Sequence, residues 1–127
     1  MAVSSADNLQ QTPLYNLHGE LNARMVPFAG YSMPVQYTGV KAEHLHTREM
    51  AGLFDVSHMG QVLVRGDQAA QQLEALVPVD LVDLSINKQI YSLLTNDEGG
   101  IIDDLMICRW DEETFFLVVN AACKEND

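Results

Sequence analysis

The sequence predicts an α+β fold, and three patterns predict it. From Met59 onward an alternating apolar segment, a helix-spaced segment and three more alternating segments follow one another. The last three are joined by short turns, which connect antiparallel neighbours and are too short for a parallel crossover. Ahead of them, a stretch broken by two prolines and a glycine lies between two helix-spaced stretches, Met25-Val26-Pro27-Phe28-Ala29-Gly30-Tyr31-Ser32-Met33-Pro34-Val35-Gln36-Tyr37. Helices on one side of an antiparallel sheet account for all three.

Taken in order, the polar residues 1–11 are expected to fray. Thr12-Pro13 reads as a helix opening, with Thr12 as the cap and Pro13 in the first turn. Leu14, Leu17 and Leu21 recur at helical spacing and carry that helix to about Leu21. Residues 25–37 form a kinked hairpin or an edge-strand loop, since proline cannot donate to a central ladder. Thr38-Gly39 leads into a second helix through Val40, His44, Leu45 and Met50.

The period then changes. Met59 to Arg65 alternates around Val62 and Val64 and predicts a strand. Asp67 is placed to cap a helix with Ala70, Leu73 and Leu76 on its apolar face, ended by Pro78. Strands follow at Gln89 to Thr95, Ile101 to Trp110 and Thr114 to Asn120. They are separated by Asn96-Asp97-Glu98-Gly99-Gly100 and Asp111-Glu112-Glu113. The first of these is the strongest turn in the chain, because glycine accepts positive φ without a Cβ clash. Ala121 to Asp127 reads as the opening of another helix, so the chain is read as cut there.

Composition excludes several classes. With 47% apolar and 20% charged residues over 127 positions, the chain can bury a core. No apolar run approaches the ~18 residues of a membrane span. The start shows neither a secretory signal nor a presequence, so a cytoplasmic protein is expected. A net charge of −11 and only seven scattered basic residues argue against nucleic acid. Cys108 and Cys123 are expected to be reduced structural thiols, since a disulfide framework or a zinc site needs other spacings.

Two segments carry candidate chemistry. In Gly99-Gly100-Ile101-Ile102-Asp103-Asp104-Leu105-Met106-Ile107, alternation puts Asp103 with Leu105 and Ile107, and Asp104 with Ile102, Met106 and Cys108. On either assignment one aspartate enters apolar surroundings. Such a group is hydrogen-bonded, protonated or kept for a ligand. Alternatively both sit at the strand end and cap amides of the turn. In Phe54-Asp55-Val56-Ser57-His58-Met59-Gly60, His58 is either a general base or a packed polar residue tying a helix end to a strand. Asp55, Ser57 and His58 stand too close in sequence to form a catalytic triad. His44 and His46, two apart on a helix, face away from each other, so no metal site is expected. Gly99-Gly100 closes a strand turn and does not open a phosphate-binding helix.

Five blocks in register resemble the T protein of the glycine cleavage system, the aminomethyltransferase family. They are Thr12-Pro13-Leu14-Tyr15, the segment Met25 to Tyr37, Leu53-Phe54-Asp55-Val56-Ser57-His58-Met59, the segment Thr95 to Leu105, and Val118-Val119-Asn120-Ala121. The resemblance implies a longer protein of three domains around a folate pocket. Residues 1–52 would be the amino-terminal part of a discontinuous first domain, and residues 53–127 a ferredoxin-like, antiparallel-sheet second domain. An exposed apolar surface is then expected. It also implies transfer of an aminomethyl carbon from the lipoyl arm of H protein to tetrahydrofolate, giving methylenetetrahydrofolate and ammonia. By motif position Asp104 is the catalytic residue, and Met59, Tyr91, Asp104, Val118 and Asn120 line the folate pocket. Asn120 could meet the pterin's amide edge in a way valine could not. Folate-binding relatives of the iron–sulfur assembly or sarcosine and dimethylglycine oxidase type tend to keep one aspartate where this chain has two. A non-catalytic ferredoxin-like interaction module is the alternative of another class.

Overall fold

The computed structural model describes residues 8–127. The chain divides into two units, the first ending at His58 and the second running from Met59 to Asp127.

The first unit contains β1 (Gln10–Gln11), α1 (Tyr15–Glu20), β2 (Arg24–Phe28), β3 (Tyr31–Gln36) and α2 (Val40–Glu49). Its sheet has the order β1-β3-β2, with β1 parallel to β3 and β2 antiparallel to it. The expected hairpin is present, turning at Ala29 and Gly30 with φ of 48° and 80°. Two consecutive positive φ values match the right-handed twist of the flanking strands, which explains a glycine there. Pro27 is accommodated because β2 is an edge strand, and Pro34 because β1 pairs with β3 only at Tyr31 and Ser32, short of the proline. Helix α2 starts where Glu43 reaches back, its Oε1 accepting the backbone N–H groups of Tyr37, Thr38 and Gly39 at 2.8, 2.7 and 2.9 Å.

Two expectations for this unit fail. Gln10 and Gln11 do not fray: they pair with Tyr31 and Ser32. Residues 1–7 of that expected frayed end lie outside the described residues. Thr12 does not cap α1. The helix begins later, with Leu14 at the cap position and no side-chain cap, while Thr12 is buried and donates to Asp55. The leucine spacing does mark the helix, which closes at Leu21. Leu14, Leu17 and Leu21 are all exposed, and His18 is the buried residue of the helix.

The second unit contains β4 (Gly60–Arg65), α3 (Ala69–Glu74), β5 (Gln89–Thr95), β6 (Ile101–Arg109) and β7 (Thr114–Val119). All pairings are antiparallel, in the order β4-β7-β6-β5. Leu105, Ile107, Phe115, Leu117 and Val119 bury one sheet face against Ala69, Ala70, Leu73, Val77 and Leu81. This is the expected α+β architecture. Helix α3 has Gln68, not Asp67, at its cap position and no side-chain cap. Leu76 is exposed, and Val77 takes the buried place beyond the helix. Asn96 organises the β5–β6 turn, its Oδ1 accepting from the backbone of Glu98 and Gly100. The aspartates therefore do not cap that turn. Residues 121–127 make turns, with Cys123 and Lys124 donating to the Asn120 carbonyl.

Candidate functional site

Strand register decides which residues can act together in the second unit. Asp103 lies opposite Leu94 and Asp104 opposite Leu93, while Tyr91 and Val118 both lie opposite Met106. Alternation therefore puts Asp103 on the side of Leu105 and Ile107, the core side. It puts Tyr91, Asp104 and Val118 on the other side. On β4, Gln61 pairs with Val118 and Gly60 with Val119. Met59 and Asn120 stand one step beyond those pairs, outside β4 and β7. Tyr91, Asp104 and Val118 thus share one sheet face, opposite the core, and Asn120 reaches Asp104 by a hydrogen bond. Tyr91 is exposed, and Met59, Asp104, Val118 and Asn120 are half-buried.

Three of the polar groups here are joined chemically. Asn120 Nδ2 lies 3.1 Å from Asp104 Oδ1, from the Asp104 carbonyl and from Asp103 Oδ1. Only one amide nitrogen serves three acceptors, so its two hydrogens are shared. Asp103 Oδ2 is buried without a well-formed hydrogen bond, although the Cys123 thiol and the Asp127 carboxyl lie within electrostatic reach. Burial opposes ionisation of Asp103, but donation from Asn120 and from the Asp104 backbone outweighs it and holds the carboxyl below the usual range. Desolvation first, and then the Asp104 carboxylate beside it, push the Tyr91 phenol up. The same desolvation, with Asp103 close by, pushes the Cys123 thiol up, which keeps it protonated and unreactive. Gly60, next to Met59, leaves room for its neighbours: a Cβ there would come within 2.5 Å of Val119 Cγ2 and 2.8 Å of Lys124 Cβ.

A second polar cluster, not foreseen from sequence, occupies the first unit. His18 Nε2 is 2.7 Å from Asp55 Oδ2, Thr12 Oγ1 donates to the same oxygen at 2.9 Å, and Tyr37 Oη is 2.7 Å from His18 Nδ1. Ser57 donates to Asp55 Oδ1 from its backbone N–H at 2.9 Å and from its hydroxyl. Ser57 and Asp55 do therefore meet, correcting the expectation that their closeness keeps them apart. The histidine that joins them is His18 and not His58. Burial opposes ionisation of Asp55, yet the Ser57, His18 and Thr12 bonds hold its carboxyl far below the usual range. His58 is packed edge-on against the Phe28 and Tyr31 rings at 5.6 and 6.3 Å, with Nδ1 buried and unpartnered. A cleft of about 830 Å³ lies wholly in the first unit, lined by Tyr37, Glu43, His46, Phe54 and Asp55 among others. None of the five residues singled out by sequence borders it.

Residues 14–127 match the family described as the GCVT N-terminal domain, and the chain belongs to that family. It is 49% identical, over 99% of its length, to the probable mitochondrial aminomethyltransferase of Schizosaccharomyces pombe. It is 45% identical, over 97% of its length, to an aminomethyltransferase of Caldanaerobacter subterraneus subsp. tengcongensis. The crystal structure of the glycine cleavage system aminomethyltransferase T from Bartonella henselae superposes with a TM-score of 0.89 at 46% identity, over 94% of this chain and 33% of that one. The chain spans about 33% of the length of the curated relatives it matches. Among the described residues no helix is long and apolar enough to cross a membrane.

Proposed function

We propose that this chain supplies the amino-terminal third of an aminomethyltransferase, which takes an aminomethyl carbon from lipoylated H protein and passes it to tetrahydrofolate. Methylenetetrahydrofolate and ammonia are the products. Residues 1–52 belong to a discontinuous first domain and residues 53–127 to the second. The observation that carries this reading is a shared sheet face: Tyr91, Asp104 and Val118 lie on it, and Asn120, just past β7, is bonded to Asp104. Family membership supports the class of reaction.

In this reading Asp104 is the catalytic residue. A carboxylate with an uncommitted lone pair accepts a hydrogen bond from a folate amine, which raises that amine's nucleophilicity. The same fixed charge stabilises the cationic iminium as it forms. Tyr91 and Val118 provide the flat and apolar contacts a pterin ring needs, and Met59 adapts to its outline. Holding donor and acceptor together contributes more to the rate than proton transfer alone. The presence of both aspartates separates this chain from relatives that keep one.

The test is calorimetric titration of the full-length protein with tetrahydrofolate, beside turnover of an Asp104→Asn variant. Binding in both proteins with about a hundredfold loss of transfer in the variant is the expected pair of results. Undiminished transfer would remove Asp104 from the chemistry. Absence of tetrahydrofolate binding to the unmodified protein would remove the folate reading altogether.

A further inference from the structure

We propose that Asp103 is a positioning residue that anchors the Asn120 carboxamide, nitrogen turned inward and oxygen turned outward, while the Asp104 carboxylate turns to its ligand. The inference rests on reading the sheet face of the second unit as the tetrahydrofolate site.

The polarity of the amide follows from its neighbours. All three atoms around Asn120 Nδ2 at 3.1 Å are oxygens that accept, two from carboxylates and one from a backbone carbonyl. Neither an ionised carboxylate nor a carbonyl can donate, so only the NH₂ end can face them. The planar amide then directs Oδ1 away from them. A ligand edge that meets Asn120 must bring an N–H, as the amide edge of a pterin does.

The Asp104 backbone carbonyl stays in place and keeps one hydrogen of the amide, but the Asp104 carboxylate cannot keep the other through a catalytic cycle. Its Oδ1 is one of the three acceptors, and the same carboxylate is the group that engages the reacting amine. When it does so, Asn120 loses the acceptor for one hydrogen. Asp103 Oδ1 stands at the same distance and takes that hydrogen over. Asp103 suits this role because its place on β6 belongs to the opposite face, with Leu105 and Ile107, while its Oδ1 still reaches Asn120 Nδ2. Its charge is half-buried and its Oδ2 has no well-formed bond of its own. Burial opposes its charge, and donation from Asn120 and from the Asp104 backbone outweighs that penalty. Asp103 therefore stays an acceptor, which is what holding the amide in one orientation requires.

The experiment is a double-substitution cycle in the full-length enzyme, with Asp103→Asn, Asn120→Ala and the pair, reading kcat and the KM for tetrahydrofolate. The carboxamide introduced by Asp103→Asn can either donate or accept, so it no longer fixes which end of Asn120 faces it. Asp103→Asn is expected to raise KM about tenfold with kcat changed less than about threefold, the worth of one misset hydrogen bond. In the Asn120→Ala background the same change should move KM less than about twofold. A KM unmoved by Asp103→Asn, or raised equally in both backgrounds, overturns the proposal. The folate-site reading fails separately, if Asn120→Ala alone leaves KM untouched. Should Asp103→Asn not fold, Asp103→Glu keeps the charge, displaces the oxygen and runs through the same cycle with the same outcomes. A purely structural role would lower the melting temperature without this dependence on Asn120.

Discussion

The two units each contain a carboxylate cluster, and they use it in opposite ways. In the first, both oxygens of Asp55 are supplied with donors: Thr12 and His18 on one, the Ser57 backbone and hydroxyl on the other. His18 in turn is tied to Tyr37. The network is closed. In the second, two adjacent carboxylates share the Asn120 amide nitrogen, the Asp104 backbone also donates to Asp103, and Asp103 Oδ2 has no well-formed bond of its own. A saturated carboxylate holds structure together, because any new donor would have to displace an existing one. An undersupplied carboxylate has acceptor capacity to offer a ligand, at a cost in stability that the rest of the fold must offset. Burial alone does not separate the two cases; the count of donors does.

Substitutions can break or sharpen this contrast. The largest loss is expected at Asp55, where Asp55→Ala strands Thr12, His18 and Ser57 and should cost about 3 kcal/mol in denaturant melts of the full-length protein. A loss below that of an ordinary surface change would mean the closed network is not structural. At Gly60, where a Cβ would press on Val119 and Lys124, Gly60→Ala should cost about 2 kcal/mol by overpacking. Tyr37→Phe removes the outermost bond of the network and should cost about 1 kcal/mol. Asp104→Asn should fall within about 0.5 kcal/mol of the unmodified protein, because the new amide oxygen still accepts from Asn120. A large destabilisation there would place Asp104 with Asp55 and collapse the distinction.

Acidity offers a further handle. The folded-state pKa of Asp55 is depressed. Its contribution to stability is therefore complete above the unfolded carboxylate value of about 4 and is lost as pH falls through and below it. Amide protection factors in the first unit, corrected for the intrinsic pH dependence of exchange, should fall on acidification, and Asp55→Asn should flatten that dependence. An identical slope in the variant would assign the acid sensitivity to another group.

Much of this was legible in the sequence, and the reasons differ by element. Strand β5 has the expected bounds, since a short alternating run between turns admits few other readings. Alternation also put Asp103 and Asp104 on the right faces relative to Leu105 and Met106. Helix α1 was less legible. Its leucines mark a helical period, but the side it buries is the one carrying His18, whose partner lies 37 residues away. Thr12 is likewise drawn from its local capping role by Asp55, 43 residues on. Neither pairing leaves a trace in local spacing. The bond between Asn120 and Asp103 was hidden for a related reason: it exists only once β6 and β7 have set their register. Placing Tyr91, Asp104 and Val118 on one face needed that register too, whereas naming the five candidates rested on the family blocks.

The span of the Asp55 network has a consequence for the order in which the first unit assembles. Helix α1 has six residues, too few to persist as an isolated helix in water. It emerges during synthesis well before the aspartate that fastens it. Lasting order around His18 must wait until residues 55–57 have arrived and the intervening loop has closed. Such long-range contacts are expected to form after the transition state. Weakening them should hasten unfolding while leaving the folding rate almost unchanged. The network then acts as a latch on the lifetime of the folded unit, not as the seed from which it grows.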